Sequence, residues 1–448
     1  MPKTIKNVFP EITSFENIHR AYLKARRDKR YRSEVLKYSA HLIDNLCHIQ
    51  KRLLAGDFHP GPYHESYIYE PKCRLIMKQP FEDRVIQWAF YRVLNPRFVR
   101  GYINDTFASI KDRGQIAAVE RLYYWLQMVD RPNNMPCYPV STVLRILSGA
   151  GWQRVRNNGK LAVWAHEGFR EISIDQTAEK ISINDLQAIS RKSKIKFQDA
   201  PEGHKWYYLK LDISKYFYRI SHDVVLREFN RKVSDKQVQA WMRATVCDNN
   251  QNFGLPAGKR PEEVPRAERI PDRGLPVGSL SSQMLANLNL NPLDQYAKRE
   301  LRIKYYVRYN DDIIILSDSK QQLKDWKDIL ENFINDRLQL DLNDKVCIRP
   351  ISLGIEFCGF RLWSNHLKLR KSTALRMRRK LRALMEDYRD GEISLERAKK
   401  TLNAYDALLS HCNSYSLRKK IFGEYTDTEW TEGWFSLQRH STTKESDE

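Results

Sequence analysis

Residues 307–316 read VRYNDDIIIL, with two adjacent carboxylates, Asp311 and Asp312, directly ahead of four apolar residues. The run IIIL is that of a buried strand, and the preceding IKYYVRY is a second one. Asn310 and Asp311 suit the turn of a hairpin between them, since both residue types tolerate positive φ. A second segment, WYYLKLDISKYFYRI (206–220), runs as an aromatic-rich strand to Asp212 before a turn carrying Tyr216 and Phe217. A lone Asp at a strand end is ordinarily a turn residue. Two such segments change the reading. If the strands are neighbours, Asp212 and Asp311 meet at one sheet edge and repel unless a cation lies between them. Mg²⁺ is the expected cation, being hard, oxygen-seeking and the usual companion of substrate phosphates. Two such ions, roughly 3.5–4 Å apart, would activate a hydroxyl nucleophile and stabilise a leaving pyrophosphate.

The bulk numbers agree with a phosphate-rich partner. The 448 residues exceed one ordinary core, so two or three subdomains are expected. Lys and Arg total 76 against 55 Asp and Glu, a formal charge of +21, which favours nucleic acid over a neutral partner. Aromatic residues, at 11%, offer stacking surfaces for bases. The seven cysteines occur singly with no C-x-x-C pair, as expected of reduced packing residues. No apolar run reaches the roughly 18 residues of a membrane span, and the N-terminus has no signal pattern. A soluble cytoplasmic protein with no membrane partner is the expectation.

Residues 11–55 have apolar positions at three- and four-residue spacing and read as helices. YHESYIYEPKCRLIMKQP then alternates as two short strands around Pro71, and FEDRVIQWAFYRVLNPRF is again helical, acidic at its start and basic at its end. MVDRPNNMPCYP (128–139) is a linker. Residues 138–198 read as a compact helix, three strands and a helix inserted in a larger domain. The proline-rich stretch 254–274 is long enough to be mobile or functional, and TKESDE is a solvated tail.

LKLDISKYFYRI, GLPVGSLSSQMLANLNLNPLD, VRYNDD and GIEFCGFRLW follow, in order, the pattern of fingers-palm-thumb reverse transcriptases. The chain most resembles the bacterial retroelement enzymes related to group II introns and diversity-generating retroelements, over most of residues 20–420 outside the insert. The resemblance implies an α/β (α+β) right-hand polymerase with a small inserted α-β-β-β-α domain. Its domains would be N-terminal helices and fingers (1–127), the inserted module with linkers (128–200), palm with a fingers segment and the loop 254–274 (201–350), primer-grip hairpin and helical thumb (351–425), and tail (426–448).

It also implies site roles. Asp212, Asp311 and Asp312 would be the catalytic metal triad holding two Mg²⁺ ions, with Asp311 the direct ligand and Asp312 more peripheral because neighbouring strand residues face opposite ways. Lys72, Arg74 and Lys78 would hold the incoming dNTP triphosphate. Phe217 would crowd a ribose 2′-hydroxyl. Gly278 would admit close backbone approach, Ser282 and Gln283 would contact template or nucleotide, and Lys345 would protonate pyrophosphate. Lys368, Arg370, Lys371, Arg376, Arg378, Arg379, Lys380 and Arg382 would track the template-primer backbone, since so many like charges repel one another without an anion alongside.

The insert is similar to HicA-type toxin ribonucleases, which resemble double-stranded-RNA-binding domains. VLRILSGAGWQRVRNNGK matches their opening helix and Gly-bearing turn, and ISINDLQAISRKSKI their last helix. Where that family carries a catalytic histidine turn, this chain has Gly159-Lys160-Leu161. Without that histidine no acid or base for cleavage is evident. His166 reads as structural, and Arg154, Arg156 and Lys160 as RNA backbone contacts.

The leading expectation is a reverse transcriptase copying a dedicated structured noncoding RNA into cDNA. No integrase, ribonuclease H or homing-endonuclease segment is read, so self-sufficient mobility is not expected. The toxin-like insert favours anti-phage defence over the alternative, an error-prone diversity-generating enzyme. A non-catalytic RNA-binding scaffold is the alternative of another class. A second copy of the chain or an accessory protein is admitted as a further partner.

Overall fold

A computed structural model describes residues 4–69, 73–130, 137–197, 206–247 and 252–423. The N-terminal helices are α1 (Phe9–Thr13), α2 (Phe15–Ala25), α3 (Ser33–Ala40) and α4 (Leu42–Ala55). Ser14 starts α2 by accepting from the Asn17 backbone N–H, and Gly56 ends α4 at φ 72°. Ile18, Ala21, Tyr22 and Ala25 make one buried face of α2, packed on α5 (Phe81–Val99). The expected strand pair is the antiparallel hairpin β1 (His64–Ile68) and β2 (Arg74–Lys78). A further helix, α6 (Gln115–Val129), follows.

The segment read from sequence as an insert holds β3 (Cys137–Pro139), α7 (Val140–Gly149), β4 (Gln153–Asn158), β5 (Leu161–Ala165), β6 (Ile172–Asp175), β7 (Lys180–Ser182) and α8 (Ile183–Ser193). The helix and three antiparallel strands read from sequence are present, and β3 pairs with β7, which periodicity did not reveal. Val143, Leu147, Trp152, Trp164, Ile172 and Ile189 form an apolar cluster of its own.

The chain then runs through β8 (Tyr207–Asp212), α9 (Tyr216–Arg219), α10 (His222–Lys232), α11 (Lys236–Val246) and α12 (Leu280–Gln295), which continues into a π turn (Tyr296–Glu300). Next come β9 (Tyr306–Tyr309), β10 (Asp312–Ser317), α13 (Lys320–Leu338) and β11 (Cys347–Pro350). The central sheet has the order β11-β8-β10-β9, so the strand ending at Asp212 lies beside the one beginning at Asp312. Ile313, Ile314, Ile315 and Leu316 are all buried, which requires cover on both faces and accounts for an unbroken apolar run where a half-exposed strand would alternate.

The loop 254–274 is pinned. Gly254 and Ile270 exchange backbone hydrogen bonds (3.1 and 3.0 Å), and buried Arg269 grips Glu65 of β1 through both nitrogens (2.7 and 3.0 Å). A Cβ on Gly274, at φ 89°, would lie 2.7 Å from the Gly254 nitrogen, so the crossing demands glycine.

Two compact units result. The first comprises Met1–Arg121, Leu209–Leu316 and Lys320–Ile348; the second comprises Leu122–Tyr208, Ser317–Ser319 and Arg349–Glu448. The second unit contains the insert, a three-stranded sheet of β12 (Ile355–Phe357), β13 (Phe360–Leu362) and β14 (Leu367–Leu369), and the helices α14 (Lys371–Arg389), α15 (Leu395–Ser410) and α16 (Tyr415–Gly423). Among the described residues no helix is long and apolar enough to cross a membrane.

Candidate active site

The hairpin register pairs Asp312 with Tyr309 and leaves Asn310 and Asp311 as the turn. Only Asn310 adopts the left-handed conformation (φ 58°). Asp311 does not need the positive φ expected of it, so its identity is free to serve chemistry. Its carboxyl is pushed up to about 6, first by burial and then by the charges of Asp212 and, more weakly, Asp312, with Arg74 acting in the opposite sense. The neighbouring strands β8 and β10 hold Asp212 and Asp311 within electrostatic reach of each other.

Asp312, expected as the more peripheral of the three carboxylates, has a cationic partner. Its Oδ2 accepts from Lys210 Nζ at 3.0 Å, across from β8. Lys210 and Asp212 share a strand face because they are two residues apart. Among the described residues no three His, Cys, Asp or Glu side chains are gathered as a metal cage. Asp212 and Asp311 repel each other, and Asp312 is ion-paired beside them. The donor chemistry of Asp212 and Asp311 fits a hard divalent cation, which would offset both the burial and the repulsion that raise Asp311.

Several positioning residues carry no motif that sequence reading singled out. Asn343 donates its backbone N–H to the Asp212 carbonyl (2.7 Å) and its side-chain amide to Asp212 Oδ2 (3.2 Å). Arg308, fully buried on β9, binds Asp294 of α12 through Nε (2.8 Å) and Nη2 (2.6 Å), and donates Nη1 to the Asn310 carbonyl (2.8 Å). Tyr306 and Thr106 hydroxyls complete the shell of Asp294 at 2.7 and 2.8 Å. An arginine inside an otherwise apolar strand, and an aspartate inside an apolar helix, were the available signals, because buried charges require partners.

Other expected residues fall as follows. Phe217 is half-buried, its carbonyl held by the Leu275 N–H (2.7 Å), while neighbouring Tyr216 donates to the Ala286 carbonyl of α12 (2.6 Å). Gly278, at φ 105°, abuts β2: the Val277 carbonyl accepts from Met77 N–H (2.9 Å), and an added Cβ would meet Ile76 Cγ2 at 3.2 Å. Arg74 is exposed on β2 within electrostatic reach of Asp311. Lys72 lies outside the described residues, as does the tail 426–448. Lys78 pairs with Glu34 (3.1 Å), beside Arg84, because its strand end abuts the N-terminal helices. Gln283 is exposed, but Ser282 is 1% exposed and turned inward, since consecutive residues of a helix point about 100° apart. Lys345 is exposed, and its N–H donates to the Asn343 side chain (3.2 Å).

In the second unit, Met377, Leu381 and Met385 bury one face of α14. Arg379, Lys380 and Arg382 are exposed off that stripe, Arg376 and Arg378 partly so, and Lys371 is exposed at its start. Arg370 pairs with Glu356 (3.0 Å), and Lys368 lies over the Trp363 ring. In the insert, Arg154 binds the Asn157 side chain (2.7 and 3.1 Å), Arg156 pairs with Glu171 (2.6 Å), and Lys160 is exposed in the β4–β5 turn. His166 packs between Trp152 and Phe169, which suits a structural histidine.

Two carboxylates at adjoining strand ends in a sheet, with a cation from a neighbouring hairpin in reach, suit a phosphate-bearing ligand held through a hard divalent cation. Residues 166–362 match the family described as reverse transcriptase (RNA-dependent DNA polymerase). Relatives include Protein YkfC of Escherichia coli, 24% identical over 205 residues (38% of this chain, 51% of that protein), and the Putative COX1/OXI3 intron 2 protein of Saccharomyces cerevisiae, 22% identical over 214 residues (34% and 23%). The chain thus spans about half, or less, of the length of these relatives. A chain of a partial Cas6-RT-Cas1–Cas2 complex overlaps 75% of this chain and 43% of its own length at 16% identity, with a TM-score of 0.30 that bears no weight on the fold. The family match and the relatives support a reverse transcriptase, a nucleotidyltransferase.

Proposed function

We propose that this chain is an RNA-directed DNA polymerase of the fingers, palm and thumb kind, which copies a dedicated structured noncoding RNA into cDNA. The observation that carries the reading is the approach of Asp212, at the end of β8, to Asp311, in the turn before the neighbouring β10, with the Asp311 anion destabilised first by burial and then by the Asp212 charge. Such an arrangement holds an unfavourable charge in place until a cation offsets it. Mg²⁺ bound there would lower the pKa of a primer 3′-hydroxyl and offset triphosphate charge.

The chain's own residues supply the rest. Asn343 orients Asp212, Lys210 neutralises Asp312, and Arg74 offers a positive charge to an incoming triphosphate. The Phe217 ring, its backbone held by Leu275, would select the sugar. The basic helix α14 and its approach supply backbone contacts for template and primer. The insert, with an exposed Lys160 and its own apolar cluster, is read as an RNA-binding module derived from a toxin-like ancestor, which favours a role in anti-phage defence.

The decisive experiment is dNTP incorporation on poly(rA)/oligo(dT) with and without Mg²⁺. Wild type should extend the primer only with the metal, and Asp212→Asn or Asp311→Asn should reduce extension by at least about 10³-fold. Equal RNA binding by wild type and variants with no incorporation by either would establish the scaffold reading instead.

A further inference from the structure

We infer that the first unit carries a second nucleic-acid surface, a cationic trough that takes the phosphate backbone of folded RNA away from the paired aspartates. Three adjoining cavities of about 550, 500 and 680 Å³ lie where α5, α10 and the π turn after α12 come to their ends. Lys232 borders all three, while Arg100 and Arg299 each border two, so these cations form the walls between chambers.

Cations at helix C-termini have an ordinary explanation. Each helix end carries about half a negative charge, which one basic residue satisfies. Here nine cationic side chains face four carboxylates. Four of the six outlying cations are spoken for: Arg97 by Glu11 (2.7 Å), Arg231 by Glu228 (3.1 Å), and both Arg121 (2.7 Å) and Lys298 (3.0 Å) by Asp105, while Arg337 lies over the Phe333 ring. The three shared ones are not, for Arg100, Lys232 and Arg299 have no ion pair among the described residues. Burial holds the Lys232 ammonium below its usual range, with Arg231 and Arg299 acting in the same sense against Glu228. Mutual repulsion at the centre of a trough is relieved by a polyanion laid along it.

The floor favours RNA. Gln295 lines two of the cavities and donates Nε2 to the Gly101 carbonyl (3.0 Å) and Asn291 Oδ1 (3.1 Å). Its Oε1 is buried with no hydrogen-bond partner among the described residues. Gln295 itself is only half-buried, so a rotation of its amide turns this unmet acceptor toward the cavity and to the donor that distinguishes RNA from DNA, the ribose 2′-hydroxyl. Position separates the trough from the reaction. Ala286 of α12 is tied to Tyr216 near the aspartates, and Arg299 lies thirteen residues further on, roughly 20 Å along the helix at 1.5 Å per residue.

The choice of RNA as partner rests on the polymerase reading; the charge of the surface does not. The test uses the full chain, a short RNA stem-loop, its DNA counterpart, and poly(rA)/oligo(dT) for primer extension. Arg100→Ala, Lys232→Ala and Arg299→Ala together should weaken stem-loop binding by about tenfold or more and lower the salt slope by about 2 to 3. Extension of oligo(dT) should stay within about twofold of wild type. Lys232→Gln with Arg299→Gln, which keeps most side-chain volume, should show a smaller loss of the same kind, and Arg100→Lys with Arg299→Lys should retain binding. Gln295→Leu should bring the RNA affinity down toward that for the DNA stem-loop. An unchanged affinity and salt slope overturns the trough, a parallel loss of extension overturns its separateness, and equal wild-type binding of RNA and DNA overturns the choice of RNA. A wild-type protein that binds the stem-loop through these residues but extends no primer would refute the polymerase reading and leave the trough standing.

Discussion

Arg308 and Asp294 form an ion pair at 2.6 Å in which both side chains are wholly excluded from solvent, and the same guanidinium holds the carbonyl of Asn310 in the turn beside Asp311. A buried pair of this kind is costly to break because removing one partner strands the other. The pair therefore links the stability of the sheet to the shape of the Asn310–Asp311 turn. Asp294→Asn should lower unfolding stability by about 3 kcal/mol in urea titration. Arg308→Lys keeps the charge but cannot reach Asp294 with two nitrogens and Asn310 with a third. Its kcat should fall at least about tenfold with the KM for dNTP little changed, whereas damage confined to nucleotide binding would raise KM alone.

Asp311 supplies a pH dependence with a definite sign. Its folded-state pKa is raised to about 6 from an ordinary 3.8, so the stability linked to its protonated form is complete below about pH 4 and is lost as pH rises through 6. In EDTA, Asp311→Asn should match wild-type stability near pH 4 and exceed it by roughly 1–2 kcal/mol at pH 7.5, a figure discounted for partial exposure. Denaturant midpoints across that range measure it. A gap independent of pH would mean the side chains pack differently and not that the charge is strained.

Gly278 should resist even a methyl group. At φ 105°, with Ile76 Cγ2 only 3.2 Å from an added Cβ, Gly278→Ala combines backbone strain with a push on β2. A loss of about 1–3 kcal/mol is expected by thermal or chemical unfolding, together with a raised KM for dNTP, since β2 carries Arg74.

Phe217→Ala should admit ribonucleotides. The ring belongs to the short helix after Asp212 and is only half-buried, so truncation opens space at modest cost in stability. The ratio of kcat/KM for dNTP over rNTP should fall by at least about tenfold. An unaltered ratio would assign the ring to packing.

Much was legible in the chain because the decisive signals are local. The unbroken IIIL run, the Asn-Asp turn, the helical spacing of 11–55 and the helix and strands of the insert each follow from periodicity and turn chemistry over a few residues. The proximity of Asp212 and Asp311 was also inferable, since two acidic strand ends with no local partner call for a common cation. What could not be read was which partner each charge takes. Lys210 on Asp312, Asn343 on Asp212, Arg269 on Glu65 and Lys78 on Glu34 each join residues from separate segments of the chain.

The sequence by itself determined the strands, the turn and the identities of the charged groups, because those depend on near neighbours and on covalent chemistry. Only the tertiary structure decided that Asp312 is spent on a lysine, that Ser282 faces inward while Gln283 faces out, and that Arg308 reaches through the core to hold the turn. The physical reason is that burial and pairing are properties of a packed interior, where a charge must take whichever counter-charge the fold brings beside it.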